Sequence, residues 1–357
     1  MINLVQISDL HIGEVFNHRG DCWIEGFKSQ DIKLCQDFDQ WMRNDIWGLE
    51  NVSFVDDIHL VITGDITANG TFTEFEVANN FLFSEHVLIK DGLPSTVGIH
   101  HDTGHYTGIA GNHDHWAGKP WAGTFWKGFS AHIYRHFFQA MPFVSPPICA
   151  SEIELRLIGV DSCSMFQNAM LNQNPFAVGG FSSSHRQEVE ELVDAAARAP
   201  LEAGCTHRVA AVLCHHPFSK DDRGLFTAGA LRQDCVRWLS SLCAKYGIGV
   251  ILTGHTHNAW TNLWEESKSS KRIRLVRCPT TLQYPAELDE VKRRPGLWSH
   301  QIVRDGDTIK LSSTLCLYCE GSFRPPVTRL PKAGKKFDEN RFYRKAWFTD
   351  ELPIFEI

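Results

Sequence analysis

Residues 108–116 read "GIAGNHDHW", and the fold turns on what this stretch is for. A short apolar run ends in glycine, and Asn112, His113, Asp114 and His115 follow without a break. Polar side chains at that density are costly to bury, and a solvated loop has no need of them. The arrangement recurs at four other places. "NLVQIS" (3–8) runs into Asp9-Leu10-His11, and "IHLVIT" (58–63) into Gly64-Asp65. "VAAVLC" (209–214) leads to His215-His216-Pro217, and "IGVILT" (248–253) to Gly254-His255-Thr256-His257. With "YTGIA" (106–110), these runs are short, apolar or β-branched and bounded by turns, as buried strands are.

Helical periodicities fill the intervals. Leu34, Phe38, Trp41, Met42 and Ile46 recur at three- and four-residue steps within 30–47, as do Phe75, Ala78 and Leu82 within 72–86. Ser184 and Gln187 are spaced as a capping box opening a helix over 184–199, and the pattern of 228–246 ends at Gly247, placed as a C-cap. "LRLIGV" (155–160) is a further strand. Continuous apolar strands separated by helices predict a largely buried sheet inside helical layers, which by itself suggests a plain doubly wound α/β fold. After about residue 272 the text turns to strands and turns, with Arg304–Asp305–Gly306–Asp307 as a hairpin turn. Residues 324–347 are rich in Pro, Lys and Arg and read as a docked tail or surface arm; a dimer arm in a homo-oligomer and a partner dock are both open.

The composition is that of a globular chain, 43% hydrophobic and 22% charged over 357 residues. A net charge of −7 argues against a general nucleic-acid or membrane binder. The 11 cysteines are scattered, and the Cys316/Cys319 pair falls in a strand-like run, so reduced thiols are expected rather than a disulfide framework or zinc knuckle. The chain opens on "INLVQIS" with no basic n-region, and no run approaches the roughly 18 apolar residues of a membrane span. A soluble cytoplasmic protein is the expectation.

In open α/β sheets chemistry gathers beyond the carboxyl ends of the strands, so residues spread from 9 to 257 are candidates to meet in one place. Carboxylate, carboxamide and imidazole together suit Mn, Fe or Zn. In Asp-x-His and His-x-His the middle residue turns away, which lets the flanking pair face one point. The glycines before Asp65, Asn112 and His255 let the backbone turn sharply there. One octahedral ion cannot use seven protein ligands and keep a water, whereas two ions about 3.5–4 Å apart sharing a carboxylate can.

The order Asp-x-His, Gly-Asp, Gly-Asn-His-Asp, His, Gly-His-x-His resembles that of the calcineurin-like metallophosphoesterases, over roughly residues 1–260. The resemblance implies a four-layer α/β/β/α sandwich rather than the plain doubly wound sheet. It also implies two divalent metal ions, of Mn, Fe or Zn. Asp9, His11 and His257 would hold the first, Asn112, His215 and His255 the second, with Asp65 bridging both. The family has one ligand at the His215-His216 motif, matching the first histidine. His113 matches the catalytic histidine, which contacts the phosphate and can protonate the leaving oxygen; Asp114 and His115 are expected to be structural or to support the ligands from behind. The implied reaction is in-line attack by a hydroxide bridging the two ions, with no covalent nucleophile.

The main domain is expected over 1–320, with inserts near 12–50 and 115–147 and a basic extension over 321–357. Ala68 stands where the protein Ser/Thr phosphatases of the superfamily have a second Asp and purple acid phosphatases a Tyr ligand, so neither branch fits. Gly-Asp-Ile-Thr, then Gly70 and Glu74-Phe75, resembles the bacterial cyclic-nucleotide and glycerophosphodiester phosphodiesterases, as does "GGFSSSHRQEVEEL". A small phosphate-ester substrate, a diester such as a cyclic nucleotide, is expected. His18, Arg19 and Trp116, in inserts that follow ligand pairs, are candidates to hold it, while most neighbouring aromatics are expected to pack. The alternatives are a phosphomonoesterase, a nuclease (which should show a basic groove) and a non-catalytic scaffold, against which the complete ligand set argues.

Overall fold

In the computed structural model the described residues are 1–13, 32–44, 58–84, 86–90, 93–99, 103–115, 139–166, 178–218, 230–266, 269, 271–282, 294–319, 322–324 and 347–355. The strands begin with β1 (Ile2–Ile7), β2 (Ile58–Thr63), β3 (His86–Lys90), β4 (Leu93–Val97), β5 (Tyr106–Ile109), β6 (Phe143–Val144), β7 (Ile148–Ala150) and β8 (Ile153–Val160). They continue with β9 (His207–Cys214), β10 (Val250–Thr253), β11 (Trp260–Glu265), β12 (Arg272–Arg277), β13 (Gly296–Asp305), β14 (Thr308–Cys319), β15 (Ser322–Arg324) and β16 (Trp347–Leu352). The helices are α1 (Ile32–Asn44), α2 (Phe72–Phe83), α3 (Ser183–Arg198) and α4 (Gln233–Tyr246).

Two sheets divide these strands. The first runs β15-β14-β13-β1-β2-β5, with β16 also on β14; the second runs β11-β12-β10-β9-β8-β6, with β7 also on β8. In the first, β1, β2 and β5 are parallel; in the second, β8, β9, β10 and β12 are. The inward residues of both, among them Leu4, Val61, Leu157, Leu213, Leu252 and Trp298, form one core between the sheets. The outward residues Val5, Ile7, Leu60 and Ile62 pack under Phe38 and Trp41 of α1 and Phe75 and Phe81 of α2. On the far side Val212 and Ile251 pack under Val189 of α3 and Leu239 of α4. The expected α/β/β/α order is therefore present, and each central strand is apolar on both faces because each face is covered.

The helix ends follow local chemistry. α2 starts in a capping box in which Thr71 Oγ1 accepts from Glu74 N at 3.2 Å and Glu74 Oε2 accepts from Thr71 N at 3.1 Å. α3 corrects the expectation: its cap is Ser182, whose Oγ accepts from His185 N at 3.2 Å, not Ser184. Gln187 bonds Glu191 along the helix instead, at 2.8 Å, as an i,i+4 pair. Gly247 closes α4 at φ 69°, a left-handed cap. Gly306 forms the β13–β14 turn at φ 62°.

In the 321–357 segment, Ser322–Arg324 and Trp347–Leu352 both pair with β14, and 325–346 lies outside the described residues. Among the described residues no helix is long and apolar enough to cross a membrane. Cys316 is buried and in no disulfide, as expected for the strand it sits on.

Candidate active site

The five strand ends converge. β1, β2 and β5 of one sheet and β9 and β10 of the other run the same way toward one edge of the sandwich, so their following turns meet there. These turns are built from unusual backbone. Asp9, His11, Asp65, His255 and His257 all have positive φ, between 46° and 74°. A left-handed non-glycine residue costs about 1 kcal/mol or more, least for Asp, Asn and His, and such strain collects at functional sites. Asp9 N donates to Gly64 O, His11 N to Asp65 O and Gly254 N to His215 O, each at 3.0 Å, stitching the turns together.

Two side-chain groups result. In the first, His11 Nε2 and His257 Nε2 are 3.0 Å apart, and His257 Nε2 lies 3.6 Å from Asp9 Oδ1. In the second, His215 Nε2 is 3.2 Å from Asp65 Oδ2, 3.1 Å from Asn112 Oδ1 and 3.0 Å from His255 Nδ1. Asp65 joins them, since its ligand oxygen also groups with His11 and His113. All these residues are buried except His255, which is half-buried. His215 rather than His216 faces this centre; the His216 Nδ1 is 2.7 Å from Ser162 Oγ.

Several imidazole nitrogens aimed at one another at 3 Å are what ligands around a small cation look like, and the donor chemistry fits Mn, Fe or Zn. The outer contacts agree. His215 Nδ1 bonds Thr63 O at 2.8 Å, which turns the Nε2 lone pair inward. Asp9 takes both its oxygens to His255 N, at 3.1 and 3.0 Å. His113 N donates to Asp65 Oδ1 at 2.8 Å, and a Cβ at Gly111 would overlap that oxygen, so the Gly111–Asn112–His113 turn must pass directly over the carboxylate.

The electrostatics follow from burial and these contacts. Burial raises the Asp9 carboxyl. Burial works the same way on Asp65, but His215, His113 and His11 outweigh it and hold that carboxyl well below the usual range. Burial opposes charge on His215 too, yet Asp65 raises it to about 9. Burial, with the neighbouring histidines, pushes His11 and His255 well down, and burial lowers His113. Asp65 and His215 thus favour a buried ion pair, while burial works against charge on His11, His113 and His255.

His113 is oriented from below. Its Nδ1 is 2.8 Å from Ala68 O, leaving Nε2, 3.9 Å from Asp65 Oδ2, on the side of the centre. The Ala68 loop is held by residues whose pattern drew attention in the sequence. Glu74 accepts from Asn69 N and Thr71 N, and Gly70 N donates to Thr67 Oγ1. Thr67 Oγ1 in turn donates to Asp114 Oδ1 at 2.8 Å, and Asp114 also accepts from Thr67 N, Ile66 N and Gly111 N. Asp114 is structural, as expected, and ties the β2 and β5 loops together.

Sequence reasoning missed two contributors, Thr280 and Gln6, and one further strand end. Thr280, after β12, donates from Oγ1 to Asp9 O at 2.7 Å. Gln6 bridges the sheets below the site, its Nε2 bonding Thr253 O at 3.0 Å and Thr63 Oγ1 at 3.3 Å. Asp161 and Cys163 follow β8 as the other site residues follow their strands, a sixth strand end whose signal was present in "LIGVDSC". His18, Arg19 and Trp116 lie outside the described residues.

No family model matches the chain, and no curated protein does. Solved structures do. GAP50, described as the anchor in the inner membrane complex of Plasmodium, superposes with a TM-score of 0.52 at 10% identity, over 97% of this chain and 94% of that one. That likeness is one of fold. A Staphylococcus aureus 5'-nucleotidase aligns at TM-score 0.46 and 11% identity, over 96% of this chain and 57% of its own. Yellow lupin purple acid phosphatase aligns at 0.48 and 13%, over 90% of this chain and 52% of its own. The chain spans little more than half the length of these two enzymes.

Proposed function

We propose that the chain is a dinuclear metal-dependent phosphoesterase of the calcineurin-like type, and that it acts on small phosphodiesters such as cyclic nucleotides. The observation that carries the reading is Asp65, a buried carboxylate standing between the group of Asp9, His11 and His257 and the group of His215 and His255.

Asp9, His11 and His257 would hold one divalent ion and Asn112, His215 and His255 the other, with Asp65 shared. Such a pair supplies Lewis acidity toward a phosphoryl oxygen and acidifies a water near neutral pH. The chain's own part is positional and protolytic. Thr63 O and the turn over Asp65 fix His215 and Asn112 before substrate arrives. His113, held at Nδ1 by Ala68 O, presents Nε2 to the centre, where as an imidazolium it can give a proton to the departing alkoxide. Burial lowers its pKa, which strengthens the acid while reducing the fraction of molecules in which it is protonated.

The diester preference rests on the sequence signature around Asp65. Its Gly70 and Glu74 shape the loop that orients His113, so they support the acid's geometry rather than the substrate's identity. The test is hydrolysis of bis(p-nitrophenyl) phosphate against p-nitrophenyl phosphate with added Mn, for wild type and Asn112→Ala. The expected result is diester turnover that falls at least about 100-fold in the variant. Turnover of the monoester alone would replace the diester reading with a phosphatase, and inactivity with metal-loaded sites would favour a scaffold.

A further inference from the structure

We propose that His115, Asp161 and Cys163 form a separate site for a single borderline-soft divalent ion of the zinc class, beside the dinuclear centre and independent of it. His115 ends the 3-10 turn that follows β5 in the first sheet, and its N–H donates to Asn112 O at 3.3 Å. Asp161 and Cys163 lie in the turn that follows β8 in the second. The site therefore joins the two sheets. One ligating atom from each of the three lies within 4.8 Å of the other two, and all three residues are buried.

The geometry within the group suits a common ion. His115 Nε2 and Asp161 Oδ1 are 3.6 Å apart. Ligands about 2.0–2.3 Å from a tetrahedral zinc stand roughly 3.3–3.8 Å from one another, so this separation is that of two ligands of one ion. Asp161 Oδ1 also accepts from Cys163 N at 2.8 Å, which folds the turn back on itself and keeps carboxylate and thiol together. His185 Nε2 accepts from Asp161 N at 3.0 Å, so it orients the turn and is not a fourth ligand. Three protein ligands with one further position is a regular zinc arrangement.

The donor set differs in kind from the neighbouring centre. There every ligand is nitrogen or oxygen; here one is sulfur, which favours zinc over manganese. An ion entering would form one bond each to Nε2, Oδ1 and Sγ, and the Cys163 thiol proton would leave to solvent. The ion would lock the turn carrying Asn112 and His113 to the second sheet.

The test uses the sulfur. The full-length chain, stripped with a chelator, is titrated with Co(II), and thiolate-to-cobalt charge-transfer absorption is followed in the near ultraviolet. The expected result is absorption saturating at one equivalent of this site, in wild type and equally in His257→Ala, which damages the dinuclear centre and lacks no part of this one. Cys163→Ser should lose it, and Asp161→Asn, which keeps the shape of the turn, should weaken cobalt binding at least about tenfold. Absence of the absorption from folded wild type at saturating Co(II), or its survival in folded Cys163→Ser, would overturn the proposal. Loss in His257→Ala together with wild-type absorption would also overturn it, by making the sulfur site dependent on the other centre.

Discussion

His215 is the residue on which charge in the centre depends. In the metal-free chain Asp65, working against burial, keeps its imidazole protonated up to about 9. A divalent ion needs Nε2 unprotonated, so binding expels that proton and grows stronger with pH. The expected slope is about tenfold in affinity per pH unit from 7 toward 9, flattening above, with about one proton released at pH 7. Calorimetry in buffers of different ionisation enthalpy measures both. The folding linkage has the opposite sign. Because the folded pKa lies above the unfolded value of 6.5, the pair stabilises the metal-free fold fully below 6.5 and loses that contribution as pH rises through about 9. At this scale the sequence was largely legible: polar residues massed after each apolar run, and glycines marked where the chain passes over a carboxylate. Which of His215 and His216 faces the centre was readable only through the family resemblance, because successive residues in a turn have no fixed side; Ser162, from a different strand end, takes His216.

Among the elements, α3 and β9 show how a buried charge can be placed safely. Arg208 of β9 donates to Ala196 O, Ala199 O and Pro200 O, satisfying carbonyls at and beyond the C-terminal end of α3. It also pairs with Glu154 of β8, Nε to Oε1 at 2.6 Å and one terminal nitrogen to Oε2 at 3.2 Å. Arg208→Leu is expected to cost roughly 3 kcal/mol, because it leaves the buried Glu154 carboxylate to Arg156 and the Glu202 N–H and takes a donor from the carbonyls at the end of the helix. Urea unfolding measures this; an unchanged midpoint would refute it. Element existence was readable from periodicity, since α1, α2 and α4 and the six apolar strands fall where the runs predict. The start of α3 was not, because "FSSSH" offers Ser182, Ser183 and Ser184 as caps, and only the chain's direction of approach selects Ser182.

At the scale of the molecule, the segment after residue 347 fastens the two sheets. β16 pairs with β14 of the first sheet, while Asp350 takes a bidentate bond from Arg274 of the second, 2.8 Å on one arm. Phe355 then packs with Tyr246 in the core under α4, and its N–H donates to Arg208 O at 2.8 Å. Deleting 347–357 removes the buried Leu352 and Phe355 together with this bridge, an expected loss of about 3–6 kcal/mol. Equal urea midpoints for the truncated and full chains would contradict that. The two-sheet layering was hidden in the strands themselves: a strand covered by helices on both faces and one covered by a helix and a second sheet are equally apolar throughout. Only the family resemblance separated the two architectures. The pairing of 347–352 was hidden for a related reason, since "WFTDEL" is a half-exposed edge strand with a weak signal.

Seven side chains from five strand ends would together hold two ions across Asp65. Titration of the metal-stripped chain with Mn(II), followed by electron paramagnetic resonance, tests it directly. Two ions bound per chain with an exchange-coupled signal, lost in Asp65→Asn while the fold is retained, is the predicted result. A single uncoupled manganese signal, or coupling that persists in Asp65→Asn, would contradict it.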